Sequence, residues 1–128
     1  MNTNRSIMII DDDKFLLDMY AIKFKENGFS VTPAFDGRDA LGKLERTEVR
    51  PNIILLDLVM PGVDGFDVLK QIKEKNMLPG VAVIVLSNLG EQEDINKCLA
   101  LGASGFIVKA SATPSEVVKK VLAIVDKK

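Results

Sequence analysis

Histidine and tryptophan are absent from the 128-residue chain, and cysteine and tyrosine occur only once each. Without histidine there is no imidazole to act as a nucleophile, a general base or a metal ligand. The single cysteine, Cys98, cannot form an internal disulfide bond, and its apolar neighbours predict a buried, reduced thiol. The chemistry of this chain must therefore use carboxylates, hydroxyls and lysine.

A strong charge of one sign and long apolar runs are also missing. The 17 basic and 18 acidic residues give a net charge of -1, so no global field attracts nucleic acid or anionic lipid. No apolar run approaches the length of about 20 residues that a membrane-spanning helix needs, and the first residues lack the pattern of a signal peptide. We expect a cytoplasmic protein with one domain over residues 1–128, no membrane association and no direct nucleic-acid binding.

Five short apolar runs, rich in β-branched residues, alternate with longer amphipathic stretches. This alternation predicts strands joined by crossover helices in a parallel sheet. The predicted strands are residues 7–10, 29–34, 53–56, 81–86 and 105–108. The predicted helices are residues 14–27, a segment capped by Asp36, residues 65–75, residues 91–101, and a last helix after the capping box Thr113–Glu116. Right-handed crossovers then predict an α/β fold, a doubly wound five-stranded sheet of flavodoxin-like order 2-1-3-4-5 with five helices on both faces.

Polar side chains follow four of the predicted strands. The first strand ends in Asp11–Asp13, the third in Asp57, the fourth in Ser87 and Asn88, and the fifth in Lys109. In the predicted order these four strands are neighbours, and ligands bind beyond the carboxyl ends of such strands. We therefore expect these side chains to converge at one edge of the sheet.

Several carboxylates so close together either share a proton or bind a cation. Oxygen ligands alone indicate a hard metal ion, and the small number of carboxylates, with room for water and phosphate oxygens, favours Mg²⁺ over Ca²⁺ or zinc. A carboxylate nucleophile can accept a phosphoryl group, whose charge a metal, a lysine and a hydroxyl would neutralise. Asp57, Lys109 and Ser87 supply these groups at the predicted edge.

Four segments, in this order, resemble the receiver domains of bacterial response regulators, including the chemotaxis regulator. They are IMIIDDD (residues 7–13), LLDLVMPGVDG (55–65), LSN (86–88) and GASGFIVK (102–109). The resemblance covers nearly the whole chain. It implies that Asp57 is the phosphoacceptor, that Asp12 binds Mg²⁺ directly, that Asp11 supports the metal through water, and that the carbonyl oxygen of Val59 completes the protein ligands.

The same resemblance implies that Ser87 and Lys109 contact the phosphoryl oxygens and that Phe106 is the switch aromatic that moves with Ser87. Receiver domains usually carry proline after this lysine, often with a cis peptide bond, whereas this chain has Ala110. Because a cis bond without proline costs about 2.5 to 4 kcal/mol, we expect the Lys109–Ala110 bond to be trans.

The implied partners are a sensor histidine kinase or a histidine phosphotransfer protein as phosphodonor. The implied output surface consists of the fourth helix, the fifth strand and the last helix. The last helix carries more apolar residues than one core-facing stripe requires. We expect the additional residues to bind a downstream protein or a second copy of the chain. The resemblance describes a stand-alone signalling domain without an output domain, not an enzyme acting on other molecules.

Two alternatives remain at this point. A phosphatase of the haloacid dehalogenase type would use Asp11 and Asp13, but Phe15 replaces the small or hydroxyl residue expected there, and no acidic pair follows Lys109. A degenerate receiver would only bind partners, although the chain retains Asp12 and Asp57. The sequence also lacks the phosphate-binding loop that is typical of nucleotide-binding proteins.

Overall fold

A computed structural model describes residues 5–46, 50–60, 62–75 and 80–126. The strands are β1 (Ser6–Ile10), β2 (Ser30–Ala34), β3 (Ile53–Leu56), β4 (Ala82–Ser87) and β5 (Gly105–Val108). The helices are α1 (Lys14–Glu26), α2 (Gly37–Glu45), α3 (Gly65–Glu74), α4 (Gln92–Ala100) and α5 (Pro114–Val125), with a 3₁₀ turn at Lys109–Ser111. Every predicted element is confirmed within two residues at its ends. Pro61, which belongs to the segment of residues 55–65 quoted above, lies outside the described residues.

The five strands form one parallel sheet in the order β2-β1-β3-β4-β5, which confirms the predicted topology. Ile10 pairs with Leu56 across β1 and β3, so the residues that follow them start their loops side by side. Ser87 pairs with Val108 across β4 and β5. The register therefore aligns the strand ends that carry the predicted site.

Alternate strand residues feed two cores, one on each face of the sheet. The core under α2, α3 and α4 contains Met8, Ile10, Ile54 and Leu56, and the core under α1 and α5 contains Ile7, Ile9, Leu55 and Ile84. Helices cover both faces of the central strands β1, β3 and β4. This explains why these strands are apolar except at Ser6 and Ser87, which lie at strand ends.

Side-chain caps begin most of the helices. Asp13 caps α1, because its side chain accepts a hydrogen bond from the backbone N–H of Leu16. Asp36 caps α2 in the same way, and the predicted capping box of Thr113 and Glu116 is complete at α5. These caps satisfy N–H groups that have no partner within the helix.

The edge strand β2 contains a proline, Pro33. The Lys43 ammonium on α2 donates a hydrogen bond to the carbonyl oxygen of Pro33 at 2.7 Å. This contact fastens α2 to the outer side of β2. None of the helices in the described part of the chain is long and apolar enough to cross a membrane.

Candidate functional site

Three carboxylates meet where β1 and β3 end. Asp11 and Asp57 are buried, with 2% and 6% of their surface exposed, whereas Asp12 is exposed. One carboxylate oxygen from each of these residues lies within 4.8 Å of the other two. The predicted convergence is therefore present, and it comes from the paired register of the two strands.

The ammonium group of Lys109 bridges the two buried carboxylates. Its Nζ atom lies 2.9 Å from Oδ2 of Asp11 and 3.2 Å from Oδ2 of Asp57. Burial alone would lower the pKa of Lys109, but the hydrogen bonds and charges of the two aspartates outweigh it and raise the pKa above its usual value. Lys109 is therefore a fixed positive charge at the centre of the site.

Burial raises the pKa of the Asp57 carboxyl group above its usual value. The Lys109 charge lowers this pKa and the Asp11 charge raises it, while hydrogen bonds from Lys109 and from the backbone of Val59 lower it. One lysine thus does not fully compensate the two neighbouring carboxylates. A further cation would complete the compensation and favour the ionised, nucleophilic form of Asp57.

The donor set fits Mg²⁺, because the site offers carboxylate oxygens and no nitrogen or sulfur ligand among the described residues. Asp12 makes no hydrogen bond or ion pair with any residue that the structure describes, so its carboxylate is available. Oδ1 of Asp11 instead accepts a hydrogen bond from the N–H of Asp13 at 2.9 Å. The N–H of Val59 points to Oδ1 of Asp57 at 3.4 Å, which places this residue beside the carboxylates.

Comparison with known proteins agrees with this geometry. The sequence profile of the family described as response regulator receiver domain matches residues 7–122. The chain belongs to this family. The haloacid dehalogenase alternative is not favoured, and Asp13, which it requires at the site, is occupied as the cap of α1.

Individual relatives of this receiver domain cover most of its length. It is 33% identical over 118 residues to the regulatory protein VanRc of Enterococcus gallinarum, a match that includes 92% of this chain but only 48% of VanRc. The chain thus spans about half the length of that relative. The receiver domain of Francisella response regulator 1452 superposes with a TM-score of 0.85 at 30% identity, covering 97% of this chain and 98% of that one.

The chemotaxis protein CheY4 of Vibrio cholerae shares the fold. It superposes with a TM-score of 0.86 at 24% identity, covering 95% of this chain and 99% of that one. The five-stranded doubly wound architecture of this receiver domain is therefore common to proteins whose sequences differ from it at most positions.

Two further predicted site residues lie on the neighbouring strands β4 and β5. Ser87 is fully buried at the end of β4, and its Oγ accepts a hydrogen bond from the N–H of Leu89 at 3.2 Å. Phe106 on β5 is partly buried and packs against the core under α2, α3 and α4. Their predicted roles as phosphoryl ligand and switch aromatic stay predictions.

The predicted output face offers less apolar surface on α5 than the sequence suggests. Val117, Val118 and Val121 are buried, and the remaining large apolar residues of this helix are partly buried against the same core. On α4, Leu99 is 48% exposed. The excess apolar residues of α5 thus mostly complete the receiver's own core, because α5 packs against both α1 and β5.

One residue and one contact near the receiver site were not predicted. Tyr20 on α1 is buried. Burial raises the pKa of its hydroxyl group above the usual value, and the charge of Lys109 offsets part of this rise. Asn88 accepts a hydrogen bond through Oδ1 from the N–H of Ala110 at 2.8 Å. The Lys109–Ala110 peptide bond is trans, as expected. The absence of proline after Lys109 could have indicated the contact with Asn88, because Ala110 then has an N–H group that needs an acceptor.

Proposed function

We propose that Asp57 accepts a phosphoryl group and that the resulting acyl phosphate switches a protein-interaction surface. The observation that carries this proposal is the Lys109 ammonium placed between two buried carboxylates, with the available carboxylate of Asp12 beside them. A lysine held in this position can neutralise charge on a transferred phosphoryl group. The chain acts as a phosphoacceptor and catalyses at most its own phosphorylation and dephosphorylation.

Asp11, Asp12 and Asp57, with the carbonyl oxygen of Val59, would hold Mg²⁺. When bound, the ion supplies positive charge to the phosphoryl oxygens and orients them. A carboxylate oxygen of Asp57 forms the new O–P bond while the bond from phosphorus to the donor breaks, and the donor keeps that electron pair. Lys109 neutralises the phosphoryl oxygens, and the hydroxyl of Ser87 donates a hydrogen bond to one of them.

The donor we propose is the phosphohistidine of a sensor histidine kinase or of a histidine phosphotransfer protein in the cytoplasm. This assignment rests on membership of the receiver family. The output partner we propose binds α4, β5 and α5, either as a downstream protein or as a second copy of the chain. Exposed Leu99 and partly buried Phe106 are the residues of this face that we expect to respond to phosphorylation.

Incubation with acetyl phosphate and Mg²⁺, followed by intact mass, tests the proposal. We expect one added phosphoryl group in the parent and none in Asp57→Asn or after chelation of the metal. Asp13→Asn is the matched control, because asparagine also caps helices well and this carboxylate lies outside the proposed ligand set. A protein whose modification persists in Asp57→Asn would contradict the assignment of the phosphoacceptor.

Mg²⁺ binding has its own measurement. A ligand bound only by the folded protein raises the midpoint of thermal unfolding by mass action. We expect Mg²⁺ to raise this midpoint in the parent and in Asp13→Asn, and to have a much smaller effect in Asp12→Asn. An equal response in Asp12→Asn would remove Asp12 from the ligand set.

A further inference from the structure

A single hydrogen bond joins the two loops that carry Ser87 and Lys109. Asn88 directly follows Ser87, and Ala110 directly follows Lys109. Oδ1 of Asn88 accepts the hydrogen bond from the N–H of Ala110 at 2.8 Å. The contact therefore links the residues next to both predicted phosphoryl ligands, although neither Asn88 nor Ala110 reaches the carboxylates itself.

The backbone of the turn that Asn88 contacts is weakly held by its own hydrogen bonds. Lys109–Ser111 is a single 3₁₀ turn in which no residue is fully buried. Its internal hydrogen bond runs from the N–H of Ala112 to the carbonyl of Lys109 at 3.3 Å, longer than the bond to Asn88. The N–H of Ala110 belongs to the first turn, where backbone donors have no partner within the helix. Asn88 thus satisfies this donor from a neighbouring loop.

This contact depends on the residue after the lysine. Proline has no backbone N–H and could not donate the bond. Receiver domains usually have proline here, which restricts the backbone through its ring, whereas Ala110 leaves the backbone free and supplies a donor. Asn88 and Ala110 therefore provide by hydrogen bonding a restraint that the ring of proline provides elsewhere.

The position of the turn matters because the Lys109 ammonium stands at the end of a flexible four-carbon side chain. Its distances of 2.9 Å to Asp11 and 3.2 Å to Asp57 require the backbone of Lys109 to stay where β5 ends. Small displacements of a positioned charge have large effects on group transfer. We propose that Asn88 is a positioning residue, which holds Lys109 against Asp57 through the Ala110 N–H and replaces the missing proline.

This inference rests on the proposed phosphorylation of Asp57, and its test separates the two. The variants are Asn88→Ala, which removes the acceptor, and Asn88→Asp, which keeps an oxygen at the same place. Asn96→Ala is the matched control, because the amide of Asn96 contacts only Gln92 on the same helix among the described residues. The measurements are the rate of phosphorylation by acetyl phosphate and the hydrogen exchange of the Ala110 amide without Mg²⁺.

We expect Asn88→Ala to slow phosphorylation about 10-fold and to speed exchange of the Ala110 amide by about the same factor, as the loss of one hydrogen bond implies. Asn88→Asp should restore both, and Asn96→Ala should change neither. Faster exchange with an unchanged phosphorylation rate, or no change in either, overturns the positioning role. A parent protein that acetyl phosphate does not modify instead refutes the proposed function.

Discussion

The two helices that flank β5 are held in opposite ways. α5 begins with a complete capping box and buries three valines, Val117, Val118 and Val121. α4 begins at Gln92, the preceding cap residue Glu91 makes no side-chain cap hydrogen bond, and Cys98 is the only buried residue of the helix. Part of its contact with α3 is the Lys97 ammonium, 4.1 Å from the centre of the Phe66 ring. The proposed output face thus joins a capped helix with three buried residues to an uncapped helix with one.

Such a difference suits a switch. An element that moves between two states must have few contacts to lose, while its neighbour keeps the fold intact. We infer that α4 opens at a lower free energy than α5, although both pack beside the same strand. Unfolding and hydrogen-exchange experiments can test this difference between the two helices.

The largest expected effect is on the core under α5. Val121→Ala removes two buried methyl groups and leaves a cavity, so we expect a loss of about 2 kcal/mol in the free energy of unfolding. Cys98→Ala removes one buried sulfur from α4, and we expect a loss of about 1 kcal/mol. Urea unfolding of both variants measures the difference. Equal losses would contradict the unequal anchoring of the two helices.

The second effect concerns the cap of α5. Thr113→Ala removes the side-chain acceptor of the Glu116 N–H, and we expect it to lower the free energy of unfolding by about 1 kcal/mol. Thr113→Ser keeps the hydroxyl and serves as the control. If alanine and serine at this position unfolded at the same urea concentration, the capping box would contribute nothing.

The third effect is a gain of stability in α4. Glu91 occupies the cap position without making a side-chain cap hydrogen bond. Glu91→Ser should supply one, and we expect slower hydrogen exchange of the first amides of α4, with a gain of about 0.5 kcal/mol. Exchange in α5 should not change. Unaltered exchange in α4 would show that the first backbone N–H groups of this helix already have other hydrogen-bond acceptors.

The smallest effect is a pH dependence at α5. Hydrogen bonds from the backbone and side chain of Thr113 lower the pKa of Glu116 below its usual value of 4.5. The ionised form thus stabilises the folded state above pH 4.5, and this contribution is lost as the pH falls through the lower, folded-state pKa. Glu116→Gln should therefore lose less stability than the parent between about pH 6 and pH 3 in urea unfolding. Identical pH slopes would refute the coupling.

The alternation of apolar runs and amphipathic stretches predicted the sheet and its helices, because strands covered on both faces must be apolar throughout. Convergence of Asp11, Asp57 and Lys109 also followed from the sequence, since the strand order alone brings neighbouring strand ends together. The element boundaries and the caps at Asp36 and Thr113 were also predicted, because they depend on local sequence patterns.

Other features depended on packing that the sequence does not specify. The helical pattern of α5 did not reveal that partly buried Leu122 and Ile124 complete its own core. The weak anchoring of α4 and the contact between Asn88 and Ala110 could not be predicted from local sequence patterns. Both depend on the paths of two loops, which are determined by contacts between residues far apart in the chain.

The proline in β2 has a consequence for how copies of this protein meet. An exposed strand edge invites another chain to extend the sheet, which leads to aggregation. At Pro33 an incoming strand would find no N–H to accept from, and the Lys43 ammonium already occupies the carbonyl oxygen. The β2 edge of the sheet therefore resists growth by strand addition.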